Sequence, residues 1–289
     1  MSSLTAKAYA KINLHLDVTG RLKNGYHTIR SVMQQVSLFD EITVTREDCP
    51  NGTREIGITC TVPDIPTDRR NIVYKCADAF FEHFGIDSFR ISIHIDKRIP
   101  HGAGMAGGST DGAAVLRLLP PLFGIDADAD TLCRIGSRIG ADIPFCIVGG
   151  SCLCEGIGEV LTPMKRRFDC PVLVAIDGEP VSTPEAYGMI DTMYGERFGN
   201  DSASAELAFM DSPHIPDSLY NIFESVILPH HPEASAIKAG MAAHGARVSL
   251  MSGSGPSVFG LFEDVGERDC ALAYFTSRGV RAFPCEFVG

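Results

Sequence analysis

The sequence predicts a two-domain α+β protein, because strand-period and helix-period stretches both occur and the pattern restarts after Pro171. Near the N-terminus, Ile12, Leu14, Leu16 and Val18 alternate with Asn13, His15 and Asp17, the period of a half-buried strand. Lys23-Asn24-Gly25 reads as a turn and VSLFDEITVTRE as a returning strand, so the first third is β-rich. After Asn71, the residues Ile72, Val73, Cys76, Ala77, Phe80, Phe81 and Phe84 fall on one helical stripe that Gly85 stops. Residues 89–95 alternate again as a strand, which leads directly into a glycine-rich loop. A second helix follows, with Val115, Leu118, Leu119 and Leu122 at helical spacing, and Pro120 and Pro121 are expected to end or kink it.

Beyond Pro171 come an apolar strand VLVAI, helical segments around 219–227 and 233–243, and a late strand VFGLF. The restart puts a domain boundary between residues 160 and 170, giving domains 1–163 and 164–289. Residues 194–216 are polar and interrupted, and read only as helix and loop.

A chain of 289 residues with formal net charge -11 lacks the broad basic surface that nucleic acid or an anionic membrane would require. Anionic ligands must therefore be held locally. No apolar run approaches the roughly 20 residues that span a bilayer, and Lys7 and Lys11 interrupt any N-terminal leader, so a cytoplasmic chain is expected. The ten cysteines contain no C-x-x-C pair and are expected to be buried small hydrophobes, with Cys152 and Cys154 on one face of a strand. The nine histidines lack metal spacing, and no metal site made by protein alone is expected.

Between strand and helix, PHGAGMAGGSTDGAA places Gly102, Gly104, Gly107 and Gly108 where backbone amides can approach a bulky anion. Ser109, Thr110 and Asp111 are expected at the N-cap and first turn, where free amides and the helix dipole favour phosphate. A loop that merely needs tight turns is the competing reading. The segment is no Walker A loop, since no Gly-Lys-Ser/Thr follows. Gly102, Gly104 and Gly107 do match G-x-G-x-x-G, but the acidic residue ending a following strand is missing. Nor does H-R-D or D-F-G occur downstream, as a protein kinase requires.

Three further stretches act together with this loop: AKINLHLDVTGRLKNGYH (10–27), GADIPFCIVGGSCLCEGIGEVL (140–161) and MSGSGPSVFG (251–260). In order and spacing the four segments resemble the 4-diphosphocytidyl-2-C-methyl-D-erythritol kinases, of the galactokinase, homoserine, mevalonate and phosphomevalonate kinase superfamily. The resemblance spans nearly the whole chain. It implies a ribosomal-protein-S5-like N-terminal domain, a ferredoxin-like C-terminal domain and an active site in the cleft between them. It also implies ATP-dependent phosphorylation of the C2 hydroxyl of a cytidylylated methylerythritol. Its nearest rivals are a superfamily kinase for mevalonate, homoserine or a sugar, and a non-catalytic nucleotide-binding protein. The loop departs from many relatives in Met105-Ala106 for Leu-Gly, Thr110 for serine and Gly112 for alanine.

Site roles follow from the same resemblance. Asp142 would take the hydroxyl proton, Lys11 would sit beside it and donate to the hydroxyl or the γ-phosphate, and Asn13 would bind substrate. For an arbitrary aspartate beside Gly and Pro, a helix cap would be the ordinary role. Tyr26 is implied to stack on cytosine, His27 to read its edge, Tyr187 to cover its other face, and Thr183 to lie in the same substrate segment. Asn71, Lys97, Pro100, Gly102, Gly104, Gly107, Gly108, Ser109 and Thr110 would line the ATP site, and Gly253 and Gly255 a second glycine loop. Magnesium is expected to arrive with the nucleotide, and the assembly is expected to be a monomer or weak homodimer.

Overall fold

The computed structural model describes residues 1–289 except 167, 196, 197, 199–207 and 218. Its first half runs β1 (Ser2–Arg21), β2 (His27–Glu47), β3 (Arg54–Cys60), α1 (Ile72–His83), β4 (Phe89–Asp96), α2 (Gly107–Phe123), α3 (Ala129–Ser137), α4 (Ile143–Val148), β5 (Ser151–Glu155) and β6 (Val160–Pro163). Its second half runs β7 (Val172–Ile176), α5 (Thr183–Tyr194), β8 (Tyr220–Asn221), α6 (Glu224–Ile227), α7 (Pro232–Ala243), β9 (Val248–Met251), β10 (Val258–Leu261), α8 (Val265–Thr276) and β11 (Arg281–Cys285). The α+β class is borne out.

Contacts divide the chain into two units that interleave in sequence: 1–10, 39–100 and 106–148 in the first, 11–38, 101–105 and 149–289 in the second. Strands β1 and β2 contribute a segment to each. In the first unit β4 pairs antiparallel with β2, Glu41 opposite Asp96, and parallel with β3. Helices α1 to α4 pack together beside these strands. Phe81 stacks on Phe89 with centroids 3.7 Å apart, and Phe80, Ile91 and Ile93 are also buried. Where α1 meets α2, a Cβ on Gly112 would lie 2.7 Å from Cys76 Sγ, so glycine here is matched to the sulfur opposite.

In the second unit β5 pairs with β2 and β6, and β8 runs parallel to β1 with Tyr220 opposite His15. A separate four-stranded sheet has the order β11-β7-β10-β9. Every residue of its inner strands β7 and β10 is buried, as their unbroken apolar sequences require. Pro284 sits on edge strand β11, where a missing N–H is tolerated.

Several local expectations need correction. Helix α2 runs through Pro120 and Pro121 to Phe123, since prolines in a final turn remove few hydrogen bonds, and Gly124 caps it in the left-handed conformation. The 219–227 segment holds the two-residue strand β8 and the four-residue helix α6, not a longer helix. Helix α2 begins at Gly107 with Ala106 as N-cap, so Ser109 is its third residue and Asp111 lies beyond the first three. Cys152 and Cys154 are buried on one face, but Cys270 is exposed and Cys49, Cys60 and Cys133 are half-buried.

Candidate active site

Strand β1 places Lys11 and Asn13 on the same side, two residues apart. Lys11 is only 4% exposed, and its Nζ donates to Asn13 Oδ1 at 2.6 Å and to the Gly104 carbonyl at 2.9 Å. Asn13 Nδ2 donates to Ser31 Oγ, which in turn donates to the His15 carbonyl, each at 2.7 Å. The ammonium is thus held by polar partners inside the second unit, which offsets its desolvation.

The same unit fastens the first part of the glycine-rich loop. Ser252 Oγ donates to the Gly104 carbonyl at 3.0 Å and Ser257 Oγ to the Ala103 carbonyl at 2.5 Å. Gly104 has φ 73, and a Cβ there would fall 2.1 Å from the Ser252 carbonyl oxygen. The second glycine loop, with φ 58 at Gly253 and 85 at Gly255, is tied by Asn221 Nδ2, which donates to the carbonyls of Met251 and Gly253. Thr183 Oγ1 lies 3.1 Å from Ser254 Oγ. Lys11, Asn13, Gly104, Gly253 and Thr183 are therefore brought together.

Aromatic residues gather at the far end of β1. Tyr26 is 60% exposed beside the turn, whereas His27 is buried, with Nε2 2.7 Å from Asp191 Oδ1. Arg21 pairs with the other oxygen of Asp191 at 3.2 Å. The His27 and Tyr187 rings stack on each other at 4.6 Å and 16°, and Phe223 meets Tyr187 edge-on. Sequence reasoning missed Asp191 and Arg21. Asp191 lies one helical turn after Tyr187 on α5, so i, i+4 spacing was the available signal.

The first unit holds the remaining residues. The amides of Gly107, Gly108 and Ser109 precede the first hydrogen bond of α2, from Thr110 N–H to the Ala106 carbonyl, and form its positive end. Thr110 is buried and its hydroxyl donates to the Tyr9 carbonyl at 2.8 Å, so both of its donors serve the fold. Asn71 caps α1, accepting from Val73 N–H and donating to the Pro66 carbonyl. A Cβ on Gly108 would touch Ile72 at 3.1 Å, which places the start of α1 beside that of α2. Pro100 is buried ahead of the loop. Half-buried Asp142 directly precedes α4 and its carbonyl accepts from Cys146 N–H. Asp142 belongs to the first unit and Lys11 to the second.

Lys97 is not a free cation. Its Nζ donates to Asp40 at 2.5 Å and to Asp111 at 2.7 Å, with all three side chains at most 5% exposed. Burial alone would pull the ammonium down, yet the two carboxylates hold it above its ordinary value. Burial pushes the Asp111 carboxyl up to about 8 against the pull of Lys97, and Asp40 adds repulsion. Sequence reasoning missed Asp40 and the pairing of Asp111. A cavity of about 780 Å3 in the second unit is lined by His15, Tyr220 and Arg247 among others, and by none of the residues predicted for the site. The candidate site is thus defined by its convergent polar groups.

Comparison with known proteins decides the family. Residues 71–150 match the GHMP kinases N terminal domain and 208–280 the GHMP kinases C terminal domain. The 4-diphosphocytidyl-2-C-methyl-D-erythritol kinase of Clostridium botulinum (strain Eklund 17B / Type B) is 41% identical over 265 residues, 91% of this chain and 92% of the relative. This chain belongs to that kinase family. The family's member from Caldicellulosiruptor saccharolyticus is 42% identical over 89% of this chain and 87% of its own. A crystal structure of 4-(cytidine 5'-diphospho)-2C-methyl-D-erythritol kinase superposes with TM-score 0.80 at 31% identity, covering 99% of this chain and 100% of the other. The L. major mevalonate kinase shares the fold, with TM-score 0.74 at 14% identity over 99% and 97% of the two chains.

Proposed function

We propose that this chain transfers the γ-phosphate of ATP to the C2 hydroxyl of 4-diphosphocytidyl-2-C-methyl-D-erythritol, in the non-mevalonate route to isoprenoid precursors. The observation that carries the reading is family membership over nine-tenths of the chain. The buried Lys11, held by Asn13 and the Gly104 carbonyl, agrees with it.

A neutral hydroxyl is a poor nucleophile, so Asp142 is proposed to accept its proton as the bond to phosphorus forms. Lys11 would lend positive charge to the transferring phosphoryl group, and Asn13 would orient the hydroxyl. The amides of Gly107, Gly108 and Ser109 would receive phosphate oxygens, with Gly102, Gly104 and Thr110 shaping the turn. Asn71, Lys97 and Pro100 would border the nucleotide, and Gly253 and Gly255 would line the second loop. Tyr26, His27 and Tyr187 would hold the cytosine, with Thr183 nearby. Among the described residues no three His, Cys, Asp or Glu side chains gather as a metal cage, so magnesium would be held chiefly by the nucleotide phosphates, whose charge it neutralises.

Residues 1–163 and 164–289 are proposed as the nucleotide-binding and second kinase domains. No described helix is long and apolar enough to cross a membrane. We propose a cytoplasmic monomer or weak homodimer without nucleic-acid or membrane partners.

An ADP-release assay over the cytidylylated substrate, methylerythritol phosphate, mevalonate, homoserine and galactose tests this function. Strong preference for the first is expected. Equal turnover of methylerythritol phosphate would remove the cytosine pocket, and preference for any of the last three would replace the substrate.

A further inference from the structure

Two carboxylates share one ammonium beneath the turn that opens α2, and they do not share it equally. Asp40 accepts three hydrogen bonds from one short stretch of chain: Oδ1 takes the N–H groups of Arg98 at 2.5 Å and Ile99 at 2.8 Å, and Oδ2 takes Lys97 Nζ. Asp111 has Lys97 on Oδ2 alone, while its Oδ1 is buried with no hydrogen-bond partner. An ionised carboxylate is the form best served by several donors, and a buried one with a bare oxygen is the form least served. A surplus proton on this cluster therefore belongs on Asp111.

The position of the cluster gives it a consequence. A Cβ built on Gly107 would lie 3.1 Å from Lys97 Nζ, so the cluster sits directly under the first residue of α2. Asp40 ties down the chain leaving β4 for the glycine-rich loop, and Asp111 projects from the helix the loop enters. With Asp111 protonated, the three side chains are neutral together. With Asp111 ionised they carry one negative charge, next to amides that would receive phosphate.

We propose that Asp40 and Asp111 are positioning residues that fix Lys97 under Gly107, and that the protonation of Asp111 sets the charge beneath the nucleotide phosphates. The inference rests on the reading that those phosphates lie at the start of α2. The elevated Asp111 carboxyl, up to about 8, agrees with the geometry. From α1, Cys76 faces the adjoining turn of α2, and burial pushes its thiol up to about 12, which leaves it uncharged over the range concerned. Arg98, whose backbone N–H donates to Asp40, is the further charged neighbour of the cluster and carries its charge throughout this pH range.

The test is calorimetric titration of the folded protein with a non-hydrolysable ATP analogue from about pH 6.5 to about pH 9.5, comparing wild type with Asp111→Asn. Ionisation of the analogue is common to both proteins and cancels in the ratio of their dissociation constants. That ratio is expected near one at the acid end and to favour Asp111→Asn by about tenfold at the alkaline end, the effect of one charge at partly screened short range. A ratio that does not change with pH overturns the inference, because a purely structural role for Asp111 would shift affinity equally throughout. If Asp111→Asn does not fold, Asp40→Asn serves instead. There Asp111 becomes the sole counter-ion of Lys97, so the alkaline weakening seen in wild type should vanish, and its persistence overturns the inference. Gly107→Val separates the underlying reading: retained analogue affinity in that variant would move the phosphates away from α2, whereas lost affinity with a flat ratio sinks only the role of Asp111.

Discussion

Among the described residues, Ala106 is the one non-glycine with positive φ, at φ 57 and ψ 28, and it is the N-cap of α2. It also stands where the loop's family resemblance implies a glycine. A side chain with a Cβ in the left-handed region costs about 1–2 kcal/mol. Ala106→Gly removes that strain but gives the unfolded chain extra freedom worth about 0.4–1 kcal/mol. The net expectation is stabilisation of roughly 0.5–1 kcal/mol. At a rate of about 2–4 °C per kcal/mol for chains somewhat shorter than this one, Tm should rise by ~1–3 °C.

Gly104 supplies the reciprocal experiment. Gly104→Ala adds the same left-handed cost at φ 73, and its Cβ would fall 2.1 Å from the Ser252 carbonyl oxygen. Relief requires the loop to move, which loosens the bonds from Lys11 and Ser252 to the Gly104 carbonyl. A loss of about 2–4 kcal/mol is expected from strain and weakened hydrogen bonding together. Scanning calorimetry on nucleotide-free protein checks both, with circular dichroism as the control for folding. A lower Tm for Ala106→Gly together with an unchanged Tm for Gly104→Ala would refute the strain argument.

Two further substitutions probe the chemistry. Tyr187→Ala should weaken the cytidylyl substrate by about 1–3 kcal/mol, the range for base stacking on an aromatic ring, and an unchanged Michaelis constant would count against a role in binding cytosine. Asp142→Asn should lower kcat by about 10²–10⁴-fold with little change in either Michaelis constant, and near wild-type turnover would reduce it to a helix-start residue. Lys11→Met should also lower kcat, and a double variant hardly worse than the poorer single one would show that the two act as a unit.

The fold was legible where one period dominates. Strands β1, β2, β4, β7 and β10 and helices α1 and α2 all follow from alternation or a helical stripe. Helix α8 escaped because among its twelve residues only Ala271 and Phe275 are buried, too sparse a stripe to stand out. Helix α3 begins inside the polar run DADAD, where Asp128 caps it by accepting from Thr131 N–H, a signal that resembles a loop unless the cap is recognised. In the candidate site, the motif residues were legible in the sequence, but the partners the fold gives them were not. Asp191 lies 164 residues from His27 and Asp40 lies 57 residues from Lys97, and no local rule pairs groups so far apart.

Two small residues of the loop and its helix, Ala106 and Gly112, show what kind of information the sequence withholds. By the family resemblance, Ala106 stands for an implied glycine and Gly112 for an implied alanine, which look like one exchange of small residues for another. In the fold they are opposite cases. At Ala106 a Cβ occupies a left-handed residue and stores strain at the entrance to α2, while at Gly112 the missing Cβ leaves room for Cys76 Sγ, which would otherwise lie 2.7 Å away. Ala106→Gly should therefore relieve the first position and Gly112→Ala overpack the second. The sign of each effect is set by the φ angle and by the atom opposite, and neither is visible until helix α1 has been laid against α2.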